Sequence, residues 1–183
     1  MLKIEVKATE SFNDKTQEFI SIPGAKLCLE HSLISISKWE SKWKKPFLQT
    51  LEKGMTAVEF ADYVRCMTIG HEEPSSIYAN LSVGNIRKIK TYMEDSMTAT
   101  TFTNRQPRNG RKNEIITAEL IYYWMIEAGV PFECERWHFN KLMTLLHVCG
   151  IKSSGGKKMS RKDTLKEYSA LNAARRRATG SKG

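Results

Sequence analysis

The hydrophobic period of this chain changes once, near residue 30, and that change fixes most of what the chain can fold into. Leu2, Ile4 and Val6 alternate with Lys3, Glu5 and Lys7, a period of two that puts successive side chains on opposite faces of a strand. Glu10 to Lys15 is polar and holds an Asn-Asp pair, which reads as a turn. Two more short strands fit Glu18 to Ile22, ahead of Pro23-Gly24, and Lys26 to Glu30. Residues 1–30 thus predict a small β-hairpin or three-stranded meander. Beyond them the step becomes three and four. Leu33, Ile36, Trp39, Trp43 and Phe47 form one stripe, with Lys38, Glu40, Lys42 and Lys44 between, in an amphipathic helix ended by Pro46.

The helical period then persists. Thr56 followed three residues later by Glu59 is a capping-box signature, opening a helix that runs to about Met67. His71 to Ser76 reads as a loop. Ser82 or Asn85 caps a helix through Ile86, Ile89, Tyr92 and Met93. Thr103 to Lys112, with Asn104, Pro107, Asn109, Gly110 and three arginines, reads as an exposed loop. Asn113 caps the next helix, whose apolar residues from Ile115 to Ala128 cover nearly every face and place it at the centre of the core. Gly129 fits the left-handed stop and Pro131 prevents continuation. A further helix is expected from about Glu133 to Cys149, ended by Gly150 in the same way, so that the two form an antiparallel hairpin. The expected fold class is mainly α, of the α+β kind. A β-hairpin or meander over 1–30 and a helical bundle over 31–151 make one globular domain, and 152–183 forms a basic C-terminal linker and helix.

Charge sets that last segment apart. The chain of 183 residues carries a net +9. Ten lysines and arginines and two acidic residues lie between Lys152 and Gly183, so the segment holds +8 and residues 1–151 only +1. Ser153 to Gly156 reads as a flexible linker. Arg161 to Ala178 is rich in Ala, Leu, Lys and Arg, with Leu165, Tyr168 and Leu171 as its only large apolar residues. That thin stripe predicts a helix that docks weakly or forms only on meeting a partner. Leu165, Tyr168 and Leu171 would give the apolar contact, and Arg175, Arg176 and Arg177 would pair with acidic groups. Lys157, Lys158, Arg161 and Lys162 are further candidate contacts for an acidic partner. Such a segment also suits sequence-independent nucleic-acid binding by counterion release.

No motif for catalysis emerges. Cys134, His138 and Cys149 have helical offsets that return to one side, but the spacing matches no zinc pattern. Gly150 to Lys158 fails the phosphate-loop spacing: Gly150 and four further residues lead to Gly155, but Gly156 follows instead of lysine, and Gly156-Lys157 would need glycine where Ile151 stands. Neither GxSxG nor HExxH occurs. The pairs Glu72-Glu73 and Glu94-Asp95 read as solvated charge. Trp39 and Trp43, interleaved with lysines, have the chemistry to stack on bases, yet the continuing stripe of Leu33, Ile36 and Phe47 assigns them to a core. Cys28, Cys66, Cys134 and Cys149 lie far apart with no CxxC pair, which predicts reduced thiols in a cytosol. The N-terminus is not a signal-peptide apolar region, and the stretch from Ile115 to Ala128 is too short for a bilayer and contains Glu119 and Glu127. No enzyme activity, metal, cofactor or membrane partner is expected.

Five blocks resemble a family from the tail modules of tailed bacteriophages, the tail assembly chaperones: EHSLISISKWESKWKKPFL at 30–48, MTATTF at 97–102, EIITAELIYYWMI at 114–126, PFECERWHFNKLMTLLHVCGIK at 131–152 and KKMSRKDTLKEYSALNAARRRA at 157–178. The resemblance implies a non-enzymatic protein that binds the long, helical tape-measure protein in the host cytoplasm and keeps it soluble while tail-tube subunits gather. A structural virion component of the tail, baseplate or connector fits the same blocks. The resemblance carries no catalytic residues.

Overall fold

The computed structural model describes residues 1–13, 18–102, 114–153 and 169. They hold four strands, β1 (Leu2–Val6), β2 (Thr9–Asn13), β3 (Glu18–Ile22) and β4 (Ala25–Leu29), and seven α-helices. The helices are α1 (Leu33–Trp43), α2 (Phe47–Lys53), α3 (Ala57–Met67), α4 (Ser75–Ala79), α5 (Val83–Glu94), α6 (Ala118–Glu127) and α7 (Phe139–Ser153). The fold is mainly α with a small β portion. It divides into two compact units, Met1–Leu146 and His147–Gly183, with the boundary inside α7.

The strands follow the hairpin alternative and not the meander, in two antiparallel ladders nested one beyond the other. β1 pairs antiparallel with β4, Leu2 opposite Leu29 and Val6 opposite Ala25, while β2 pairs with β3, Thr9 opposite Ile22. The expected turn over Glu10 to Lys15 is therefore corrected: its first residues belong to β2, and 14–17 lie outside the described residues. Both ladders pause where Lys7-Ala8 faces Pro23-Gly24. Proline has no amide to give a ladder. At Gly24 a Cβ would come within 3.0 Å of the Ala8 nitrogen and the Val6 oxygen, so glycine lets the two backbones approach. Ile4, Val6, Leu27 and Leu29 point inward and are buried, which makes the first ladder the one that packs against helices. The Asn85 side-chain amide of α5 donates to the Glu5 carbonyl at 3.0 Å and fixes that contact.

The helices start where capping chemistry places them. Ser32 caps α1 in a capping box with Ser35, Thr56 caps α3 with Glu59, Ser82 caps α5 and Thr117 caps α6. Pro46 interrupts α1 as expected, but Phe47 belongs to the next helix. Lys44 takes a left-handed conformation and Pro46 then opens α2. Trp39 is fully buried with Leu33, Ile36, Phe47, Tyr63 and Ile121, so α1 lies at the centre of the core.

Four expectations for the second half are corrected. Thr117, rather than Asn113, caps α6, and α6 is not enclosed: Ala118, Ile121 and Met125 are buried while Tyr123 and Ile126 are exposed. Phe132–Arg136 is a 3-10 turn, not the start of a long helix, because residues 137–139 are drawn into extended pairing. Ser32 bridges His138, and the Phe139 amide donates to the His31 carbonyl at 2.7 Å. Gly129 does take the left-handed stop, φ 64°. Gly150 does not; it lies inside α7, which continues to Ser153. A glycine in a helix costs only about 1 kcal/mol relative to alanine, and no proline follows it to force a stop. The expected loop Thr103 to Lys112, the expected linker after Ser153 and, apart from Ser169, the expected helix Arg161 to Ala178 lie outside the described residues.

Candidate functional site: an apolar cleft with a charged rim

The α1–α3 packing leaves a cleft of about 580 Å3 at its edge. Its apolar lining comes from Trp43 of α1, Val58, Phe60 and Ala61 of α3, Tyr78 and Ala79 of α4, and Leu81 and Ile86 around the start of α5. Helical spacing explains the arrangement. Ala57, Ala61 and Arg65 recur at steps of four on the side of α3 away from the fully buried Tyr63, and two small residues there leave a hollow between neighbouring helices. Val58, at the mouth, is 69% exposed.

The rim is ionic and organised around Asp62. Its carboxylate accepts from the Lys42 ammonium at 2.5 Å, the Trp43 indole at 2.7 Å and the Arg65 guanidinium at 3.0 Å. Burial works against ionisation of Asp62, yet these donors hold its pKa below the ordinary value. Arg65 also pairs with Glu72. Lys45 caps the neighbouring Glu59 at 2.7 Å, and together with the Thr56 amide and hydroxyl it brings that carboxyl down to about 2. The Lys45 and Lys90 ammonium groups sit 5.6 and 5.8 Å from the Trp43 and Phe60 rings. The result is a hollow with apolar walls and a fixed ionic edge.

Two polar clusters inside the core have a different character. Glu40 is 7% exposed. One carboxylate oxygen accepts the Phe47 amide and the other the Ala118 amide, each at 2.7 Å. A single side chain thus holds the first amides of α2 and α6, where the helix dipoles favour negative charge. Burial nevertheless raises its pKa, opposed by those two amides. The other cluster joins His31 Nδ1 to the Tyr63 hydroxyl at 2.5 Å, with Ser35 Oγ 3.3 Å from the same hydroxyl. The His138 ring stands edge-on at 5.3 Å from His31 and contacts the Tyr92 carbonyl through Nε2 at 2.9 Å. Burial, and then His138, lower the His31 pKa to about 3. All four side chains are enclosed, so the cluster ties elements of the core together.

The sequence-derived contact residues Leu165, Tyr168, Leu171, Arg175, Arg176 and Arg177, with Lys157, Lys158, Arg161 and Lys162, lie outside the described residues. Cys134 lies on the 3-10 turn, His138 in the bridge before α7 and Cys149 on α7, so the three share no helix. Among the described residues no three His, Cys, Asp or Glu side chains converge to hold a metal ion. Trp39 belongs to the core as expected, whereas Trp43 is only half-buried and lines the cleft. Sequence reasoning missed both Asp62 and Glu40. Glu40 carried a legible signal: seven residues after Leu33 and four after Ile36, it falls on the apolar face of α1 rather than among the solvated lysines.

No helix among the described residues is long and apolar enough to cross a membrane. The chain matches no protein-family model, and neither the curated proteins nor the solved structures yield a match to it.

Proposed function

We propose that this chain is a non-enzymatic tail-assembly-chaperone-like protein of a tailed bacteriophage, which binds the tape-measure protein in the host cytoplasm during tail morphogenesis. The cleft beside Trp43 and Phe60 carries the reading: an apolar hollow of about 580 Å3 with the Lys42–Asp62–Arg65 group on its edge has the chemistry to cover part of the apolar stripe of a helical client. The resemblance of the five sequence blocks to tail assembly chaperones names the client. The basic segment, through Leu165, Tyr168, Leu171 and Arg175 to Arg177, adds a second contact to acidic stretches of the same long protein.

Co-expression with the tape-measure protein tests this. The soluble fraction of the client is expected to rise, the two are expected to co-purify, and Val58→Glu at the exposed mouth of the cleft is expected to weaken both effects. Unchanged client solubility without co-purification would refute the reading. Mass spectrometry of purified particles separates it from a structural role, because an assembly chaperone is absent from mature virions and a tail, baseplate or connector component is retained.

A further inference from the structure

The outward face of α6 has a chemistry opposite to that of the basic segment. Tyr123 and Ile126 are 57% and 63% exposed, and they project from the side of α6 that points away from Ala118, Ile121 and Met125. The apolar surface continues past the helix. Tyr122 is one turn before Ile126, and its ring lies 6.2 Å from that of Phe132, which is itself 54% exposed. The Tyr122 hydroxyl donates to Glu135 at 2.7 Å and ties the 3-10 turn to α6. This is a built surface, spanning two elements that hold each other in place.

The charges that α6 and the start of the 3-10 turn contribute to its rim are acidic, and Arg136 ends that turn. Between residues 114 and 135 there is no lysine or arginine. Glu119 and Glu127 border Tyr123 and Ile126 on α6, Glu133 follows Phe132, and all three are exposed. None of them takes part in an ion pair among the described residues. Large apolar side chains left in water beside unpaired carboxylates mark a recognition surface, and the sign of those carboxylates selects the occupant by charge complementarity.

We infer that the α6 face formed by Tyr122, Tyr123, Ile126 and Phe132 docks a basic, amphipathic helix of a partner protein, with Glu119, Glu127 and Glu133 pairing with its lysines or arginines. This surface is separate from the cleft beside Trp43 and stands whether or not that cleft binds a tape-measure protein. Its helical occupant places apolar residues at steps of three and four on Tyr123 and Ile126, and its cations flank them on both sides.

The probe is a synthetic helical peptide of leucine and lysine in amphipathic spacing, compared with the leucine–glutamate peptide of the same length, each titrated into the full chain. Bulk electrostatics favours the acidic peptide, because the chain carries +9; preference for the basic one therefore has to be local. The expected result is that the basic peptide binds at least about tenfold more tightly, and that its affinity falls as salt is raised. Glu119→Gln with Glu127→Gln and Glu133→Gln is expected to remove the preference. Tyr123→Ser with Ile126→Ser is expected to weaken basic-peptide binding by about tenfold or more. Circular dichroism of each variant verifies the fold, and the glutamine set serves if the serine pair does not fold. Equal affinity for both peptides, or unaltered binding by the glutamine variant, would overturn the inference.

Discussion

Helices α1 and α6 use apolar residues in opposite ways. By sequence α6 is the more apolar, with an unbroken run from Leu120 to Ile126, yet it leaves Tyr123 and Ile126 in solvent. Polar residues alternate with apolar ones in α1, yet it sits at the centre, buries Trp39 completely and draws even Glu40 inside. The number of apolar residues in a helix measures the surface available for burial. How much is covered depends on how many neighbours the chain folds around that helix. α1 packs against α2, α3, α6 and the 3-10 turn, and α6 has one covered side. A surplus such as that of α6 is what an interface is built from.

Four substitutions test the contrast between α1 and α6 and between the two sides of α6. The largest effect is expected from Glu40→Ala, which leaves the Phe47 and Ala118 amides buried without an acceptor. A loss of about 3–5 kcal/mol is expected in denaturant unfolding, since each stranded amide costs on the order of 1–3 kcal/mol. A loss below about 1 kcal/mol would mean that water or a neighbour replaces the carboxylate. Next comes Ile121→Ala on the inner side of α6, expected to cost about 2–4 kcal/mol through transfer and cavity contributions.

His31 gives a smaller, pH-dependent effect. The unfolded histidine takes a proton near its ordinary value of 6.5, whereas in the fold it remains neutral down to about 3. Neutral burial therefore supports the fold fully above pH 6.5, and that support is lost as pH falls, by about 1.4 kcal/mol per pH unit. His31→Asn is expected to flatten the decline between pH 6 and pH 5 in urea titrations. Identical slopes for the two proteins would show that the cluster around Tyr63 and His138 exerts no such constraint. The smallest effect belongs to Ile126→Ala on the outer side of α6, expected within about 0.5 kcal/mol of the parent. Melting curves as different as these for positions 121 and 126 would establish that the two sides of one apolar helix have separate roles.

Much of the architecture was legible because local chemistry decided it. The alternation of Leu2, Ile4 and Val6, the capping box of Thr56 and Glu59, the Ser82 cap and the Gly129 stop each act within a few residues. Decisions taken at long range were not legible. The 3-10 turn at Phe132–Arg136 replaces a helical turn because His138 and Phe139 pair with Ser32 and His31, a contact across most of the chain. The half-exposure of α6 depends on which helices reach it, and no periodicity reports that for a run apolar on every side. The cleft was legible in part. Trp43 stood out as an aromatic among lysines, but its indole partner Asp62 lies nineteen positions on and is an ordinary carboxylate in its own helix.

In the proposed complex a helical client occupies the cleft between α1, α3, α4 and α5. Amide hydrogen exchange of the full chain, alone and with the co-expressed tape-measure protein, tests it most directly. Residues 57–61 and 75–86 border the cleft and are expected to gain protection in the complex, while the enclosed segment Leu33 to Trp39 is protected in both states. Unchanged exchange at 57–61 and 75–86 in a co-purifying complex would contradict the claim and place the client elsewhere on the molecule.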